Sequence, residues 1–181
     1  MPQRPLQARD AVTARPKQPD AAFRAAVRFR TADETDVPAV VPMINAAYLR
    51  ESHLLPGPRI DPDRLLAELR QPDTQLILAE TGGVLAGSVR LITRDDRAYF
   101  GLLATDPALQ GRGLASMLID HVERKARDAG FDALYLQCVK ELGLPPFYAS
   151  LGYSVITEIP GVTDWGALRP WTKVEMKKAL A

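Results

Sequence analysis

The sequence predicts an α/β (α+β) fold, a mixed and mostly antiparallel central sheet with helices on both faces. Three observations carry this. Three β-like runs lie close together at residues 75–80, 84–94 and 98–105, separated only by turn-forming residues. A long helical period follows at Leu114, Leu118, Val122 and Ala126. Another β-like run, residues 133–139, comes directly after that helix. Runs joined by tight turns pair antiparallel, a strand–helix–strand crossover pairs its strands in parallel, and a mixed sheet needs cover on its faces.

The elements follow in order. Residues 1–25 hold Pro2, Pro5, Pro16 and Pro19 among Arg, Gln and Ala with no strand or helix period, and read as a disordered basic tail. Residues 26–181 form a single domain. Residues 27–31 are a first strand. Thr35-Asp36-Val37-Pro38 opens a helix with a capping residue and an early proline. Val37, Val40, Val41, Ile44 and Tyr48 lie on one face of it, and Pro42 inside that face is expected to kink it. Residues 51–60, with Pro56, Gly57 and Pro58, are a loop. Asp61-Pro62 opens a second helix with Leu65, Leu66 and Leu69 inward. Thr81-Gly82-Gly83 and Asp95-Asp96 are the turns between the meander strands. Gly130 ends the long helix. A short helix over 146–151 stops at Gly152. Two last strands, 153–159 and 172–177, flank a Gly/Pro-containing loop, and a homodimer could form along them.

Composition narrows the function. The chain has 181 residues, 46% hydrophobic and 25% charged, enough for one domain with a buried core. No apolar run approaches the roughly 18–20 residues of a membrane helix, and the N-terminus has no apolar signal-peptide core. A cytoplasmic protein with no membrane partner is expected. Cys138 is the single cysteine, so no intramolecular disulfide forms, and within a strand it reads as a small buried residue rather than a nucleophile. One cysteine and two histidines, His53 and His121, at large separations give no metal-site spacing. His121 is expected on the exposed side of the long helix. The net charge of +1 hides an asymmetry: the first thirty residues carry +5 and the remainder −4. The positive charge therefore belongs to the tail, read as a solvated extension, and no nucleic-acid partner is expected.

The informative segment runs from Tyr99 to Ala115. A strand enters the turn Gln110-Gly111-Arg112-Gly113, and the turn opens the long helix. The first helical turn has N–H groups without intrahelical partners, and they add to the positive end of the helix dipole. Gly111 and Gly113 let an anion approach the backbone closely. Arg112 would add positive charge at the mouth. Neither Gly-x-x-x-x-Gly-Lys-Ser/Thr nor Gly-x-Gly-x-x-Gly with a following ribose-binding acid is present.

Gln110-x-x-Gly113-x-Ala115 at a strand–helix junction resembles the signature of the GCN5-related N-acetyltransferase family, Gln/Arg-x-x-Gly-x-Gly/Ala. Downstream, Phe147-Tyr148-Ala149-Ser150-Leu151-Gly152-Tyr153 is similar to the family's Phe-Tyr-x-x-Leu-Gly-Phe/Tyr segment, with one helix and one strand between the two motifs. The resemblance covers about residues 27–178. It implies acetyl-CoA as cosubstrate, with the backbone amides of Gln110, Gly111, Arg112, Gly113, Leu114 and Ala115 on the pyrophosphate. The backbone of Leu103, Ala104 and Thr105 would lie beside the pantetheine arm. It also implies that strands 98–105 and 133–139 splay apart around the thioester. A strand–crossover–strand unit independently places ligands at the strands' C-terminal ends.

The family's usual reaction is direct attack of an amine on the thioester. The amine must lose a proton, the oxyanion needs a donor, and the thiolate needs a proton. Tyr148 matches the position that protonates the thiolate. The strand 98–105 has no acid, where family members often place a Glu, so the general base is left open among Glu51, His53, Glu141 and Asp164. Lys140-Glu141-Leu142-Gly143 stands where many members carry a CoA-contacting Asn, and Lys140 would reach a phosphate instead. By the resemblance, residues 51–60 and 160–171 form the acceptor pocket. They offer Glu51, His53 and Arg59 from the first loop and Asp164, Trp165, Arg169 and Trp171 from the second. Arg59 and Arg169 would clamp a carboxylate, and Asp164 or Glu51 would attract an ammonium. The leading reading is acetylation of a small-molecule primary amine. A protein or peptide amine, and an acyl-CoA-binding module without catalysis, stand as alternatives.

Overall fold

The computed structural model describes residues 18–162 and 166–180. Seven strands run in chain order: β1 (Val27–Thr31), β2 (Thr74–Thr81), β3 (Val84–Arg94), β4 (Arg97–Thr105), β5 (Ala133–Val139), β6 (Ser154–Pro160) and β7 (Thr172–Ala179). Five helices accompany them: α1 (Ala21–Ala26), α2 (Val37–Tyr48), α3 (Pro62–Leu69), α4 (Leu114–Asp128) and α5 (Pro145–Ser150). The strands form one sheet in the order β1-β2-β3-β4-β5-β7-β6. Only β4 and β5 pair in parallel; every other neighbouring pair is antiparallel. This is the mixed sheet that the meander and the α4 crossover predict.

Two layers of side chains cover the sheet. Leu114, Leu118 and Val122 of α4 pack on Val89, Leu91, Phe100, Leu134 and Leu136. On the opposite face Val37, Val40 and Ile44 of α2 and Leu65 of α3 pack on Leu76, Leu78, Leu102 and Ala104. Strand β4 supplies both layers from even-numbered positions. Ala98 and Phe100 belong to the α4 layer, Leu102 and Ala104 to the α2 layer. Strict alternation forbids that switch. The cause is a bulge: Arg90 pairs with Gly101 and Ser88 with Ala104, so Leu102 and Leu103 together oppose Val89. Leu102 takes φ 45° there.

Two sequence expectations are corrected. The boundary drawn at residue 26 falls after a helix, α1, whose N-cap Asp20 accepts a hydrogen bond from Phe23 N at 2.7 Å. Phe23 is only 4% exposed and packs in the α4 layer. Six helical residues are too few for a period to stand out among prolines and arginines. The rest of the expected tail, residues 1–17, lies outside the described residues. Pro42 lies inside α2, which is continuous from Val37 to Tyr48. The bond it forfeits is to the carbonyl of Pro38, in the first turn, and Pro42 itself is exposed.

His121 is half-buried rather than exposed, stacked on Phe29 with ring centroids 4.6 Å apart, and burial lowers its pKa. The buried carboxylate of Glu123 accepts from Tyr153 Oη at 2.9 Å and from Lys178 Nζ at 2.7 and 2.8 Å. That fully partnered triad ties α4 to β7, and removing one member would strand a buried charge. No described helix is long and apolar enough to cross a membrane.

Candidate active site at the splayed strands

Strands β4 and β5 pair only from Ala98↔Leu134 to Phe100↔Leu136. The bulge at Leu102 follows immediately, and beyond it the two strands part. A cavity of about 1000 Å³ occupies the gap, lined by Leu103 and Thr105 of β4 and by Gln137, Cys138 and Val139 of β5. Fixed sheet hydrogen bonds hold the closed end, so the opening is a property of the backbone.

At the wide end the chain leaves β4 and turns through Asp106, whose carboxylate caps the following short turn by accepting from Ala108 N at 2.7 Å. Gln110 then anchors the Gly-rich loop. Its Nε2 donates to the Thr105 carbonyl at 3.5 Å, and its Oε1 accepts from Arg50 Nη1 at 3.1 Å. Gly111 and Gly113 take φ values of 75° and 82°, which other residues adopt only with strain. Gly113 is the N-cap of α4, and no side chain caps that helix. The amides of the first turn are therefore left to a ligand, at the positive end of a 15-residue helix. Ala115 lines the cavity, so this end of α4 and the gap between the strands are continuous. Leu114 points its side chain into the core and offers only its backbone.

Arg112 packs toward α1. Its guanidinium stacks 4.0 Å above the Phe23 ring and lies 4.0 Å from the Asp20 carboxylate, fastening the loop to α1. Lys140 is likewise committed, to Glu158.

Deeper in the gap, α5 carries Tyr148 into the cavity wall. Its ring meets Phe147, Phe100 and Tyr153 edge-on at centroid distances of 5.1, 6.0 and 6.3 Å. Three aromatic contacts fix the ring, and its hydroxyl hydrogen-bonds no group among the described residues. Burial pushes the phenol well above its usual range, with Tyr48, Cys138 and Glu51 adding to the effect. Tyr148 therefore stays protonated. Burial pushes the Cys138 thiol up to about 12, so it too is protonated at neutral pH and is no nucleophile.

The loop at residues 51–60 divides between wall and surface. Glu51 and Arg59 line the cavity; His53 does not, being exposed with its Nδ1 2.9 Å from the Arg50 carbonyl. Burial raises the Glu51 pKa, while Arg59 and His53 oppose the rise. Arg59 sits 4.9 Å over the ring of Tyr48, the last residue of α2, and Asn45 holds the loop by accepting from the amides of Arg59 and Ile60. Glu141 accepts from Thr172 N at 2.9 Å, a structural duty.

In the second loop Trp171 is 5% exposed, packs with Leu54 and Val139, and donates from Nε1 to the Val162 carbonyl at 3.1 Å. A Cβ built at Gly161 would collide with that indole. Leu168 N donates to the Leu54 carbonyl at 3.0 Å, so the two loops hold one another. Arg169 is exposed and does not line the cavity. Asp164 and Trp165 lie outside the described residues.

Sequence reasoning missed Tyr48, Arg64, Arg90 and Gly101, all in the cavity wall. Arg90 had a signal: a charged residue flanked by Val89 and Leu91 in a central strand is costly unless it serves a purpose. Tyr48 had none, since its place at the end of an apolar helical face reads as core. Among the described residues no group of three or more His, Cys, Asp or Glu is placed to hold a metal.

Comparison with known proteins agrees with this geometry. The model of the acetyltransferase (GNAT) family matches residues 43–153, more than half the chain. The chain belongs to that family. Among solved structures it is similar to the ribosomal-protein-S18-alanine N-acetyltransferase of Escherichia coli, with a TM-score of 0.70 and 18% identity over 86% of this chain and 94% of the other. It is also similar to yncA of Salmonella typhimurium, a protein assigned as an acetyltransferase and solved with its cofactor acetyl-CoA. That match has a TM-score of 0.68 and 24% identity over 86% of this chain and 95% of the other. A protein assigned as a phosphinothricin N-acetyltransferase matches with a TM-score of 0.68 and 20% identity over 86% and 99% of the two chains. At these identities the likeness shows the fold. No curated protein matches by sequence.

Proposed function

We propose that this chain transfers an acetyl group from acetyl-CoA to a primary amine of a small molecule by direct attack, without a covalent enzyme intermediate. One observation carries the reading. The start of α4, without a side-chain cap and with Gly111 and Gly113 in open backbone conformations, leads into a cavity whose wall presents the hydroxyl of Tyr148, which has no hydrogen-bond partner among the described residues. The diphosphate fits the first, and the thioester the second.

Acetyl-CoA supplies an activated acyl group with a thiolate as leaving group. The amides of residues 110–115 hold its pyrophosphate, and the backbone of residues 103–105, freed from β5, pairs with the pantetheine arm. Glu51 accepts a proton from the acceptor ammonium, directly or through water; its raised pKa brings it nearer neutrality and makes it a better base than an exposed Glu. The freed amine attacks the thioester carbon. A backbone N–H of the bulged β4 segment donates to the oxygen on which charge builds. The C–S bond breaks, Tyr148 donates a hydrogen bond to the departing sulfur, and the proton left on the new amide nitrogen passes to that thiolate or to water. Because burial raises the phenol pKa, its contribution is a hydrogen bond that strengthens as charge reaches the sulfur. The protonated Cys138 thiol does not compete as a nucleophile.

The mutual pinning of loops 51–60 and 160–171 narrows the acceptor side, which favours a small amine over a polypeptide. The protein works in the cytoplasm in this reading. The edge strand β6, with Val155, Ile156 and Ile159 exposed, is where two copies would pair. The test is acetyl-CoA-dependent thiol release with a panel of small primary amines and, separately, peptides with free N-termini. Turnover of small amines at a higher kcat/KM than any peptide is the expected result; turnover of peptides alone would overturn it.

A further inference from the structure

On the acceptor side of the cavity, Arg90 and Arg64 share a single carboxylate among the described residues. Arg90 leaves β3 on the α2/α3 face, in register with Gly101 of β4. A Cβ built at Gly101 would stand 3.4 Å from Arg90 Nη2, ordinary contact distance, so the guanidinium lies beside Gly101, over β4, one residue before the bulge. Arg90 Nη1 donates to Glu68 Oε2 at 2.6 Å, while Glu68 Oε1 accepts from Arg64 Nε at 3.3 Å. Two guanidiniums thus share one carboxylate, and both line the cavity. Arg90 and Glu68 side chains are each only 20% exposed. Arg90 Nε is buried and finds no acceptor among the described residues. A buried donor left unmade is costly, more so on a charged group.

The other charges nearby do not fill the gap. Arg94 is bonded to Asp73 at 2.6 Å, and Arg97 lies 3.9 Å from Glu175. Asp95 and Asp96 are exposed at the hairpin tip. Glu51 faces Arg59 and Tyr148 instead.

We propose that Arg90, with Arg64, receives a carboxylate of the acceptor, so that the molecule acetylated is an amino-acid-like zwitterion. The inference rests on the small-amine reading above. It replaces the exposed Arg169 with a residue inside the cavity. A planar carboxylate takes two donors of a guanidinium side by side, which an ammonium partner or a neutral amide cannot reproduce. With the acid on Arg90, the amine of a zwitterion is directed toward the Glu51 and Tyr148 end of the same cavity.

The experiment compares each L-amino acid with its carboxamide and its decarboxylated amine in acetyl-CoA-dependent thiol release. Wild type, Arg90→Gln and Arg64→Gln are assayed in parallel. Wild type should prefer the acids by about tenfold or more in kcat/KM. Arg90→Gln should raise KM for the acids by roughly 10–100-fold, the scale of a lost charged hydrogen bond, with kcat and the carboxamide rates little changed. Arg64→Gln should raise it by a few-fold. Thermal stabilisation by acetyl-CoA reports whether each variant is folded. If Arg90→Gln is not, Arg64→Gln, at an exposed side chain, carries the test. Equal use of acids and carboxamides, or an unchanged preference in the folded variants, overturns this inference and leaves the small-amine reading standing. If acetyl-CoA still stabilises the protein but no small amine is acetylated, that reading falls and this one with it.

Discussion

The two ends of the cavity are built in different ways. The end proposed for the cofactor is made of backbone: a strand freed by a bulge, two glycines at φ 75° and 82°, and a helix start with no side-chain cap. All of it lies within residues 102–115, one continuous stretch. The acceptor end is made of side chains brought from afar. Glu51 and Arg59 come from the loop after α2, Arg64 from α3, Arg90 from β3, Tyr148 from α5 and Trp171 from the start of β7. A backbone site depends on spacing and local conformation, which a sequence states openly. A side-chain site depends on which segments meet, which only the fold decides.

Substitutions can break that contrast. At the acceptor end Tyr148→Phe should have the largest effect: kcat falls about 10²–10⁴-fold while acetyl-CoA affinity stays near wild type, because only the hydroxyl is lost and the three ring contacts remain. Rapid-mixing turnover assays and calorimetric titration separate the two terms, and unchanged kcat would remove Tyr148 from the chemistry. Glu51→Gln should follow, with kcat/KM down about 10²-fold. The sign of its pH dependence is fixed by its role. A base must be ionised, and burial raises its pKa, so wild-type kcat/KM should climb with pH through a value above the ordinary Glu range of about 4.3. Gln has no such titration, and the climb should vanish in a pH–rate profile of the variant. The smallest effects belong to residues that look reactive in the sequence alone. His53→Ala and Cys138→Ala should each stay within about threefold of wild type in kcat/KM, the first because its ring is outside the cavity, the second because its thiol is protonated. A tenfold loss in either would place that side chain at the reaction centre.

The sequence disclosed the fold well because its sheet is mostly local. Thr81-Gly82-Gly83 and Asp95-Asp96 mark the hairpins, and the α4 period demands a parallel crossover. It concealed α1, because six residues hold too little period to read. At the site, the family resemblance pointed to Tyr148, Glu51 and Arg59, and all three line the cavity. The stacking partner of Arg112 was hidden, because a loop arginine gives no hint that Phe23, far off in sequence, supplies it. Arg90 was passed over because its chemistry depends on Glu68, on another element.

The central claim is that the start of α4 binds the diphosphate of acetyl-CoA, and thermal unfolding with acetyl-CoA tests it most directly. At a hundredfold excess over Kd, binding to the native state alone adds about 2.7 kcal/mol, a rise in Tm on the order of 5–10 °C for a chain of this size. Gly113→Glu should abolish that rise. Gly130→Ala is the control: Gly130 closes the same helix at φ 88° with open space around it, so the strain is comparable and the cofactor site untouched. A shift seen in wild type and Gly130→Ala but lost in Gly113→Glu is the predicted result. A shift that survives in Gly113→Glu, or none in wild type at millimolar acetyl-CoA, would contradict the account.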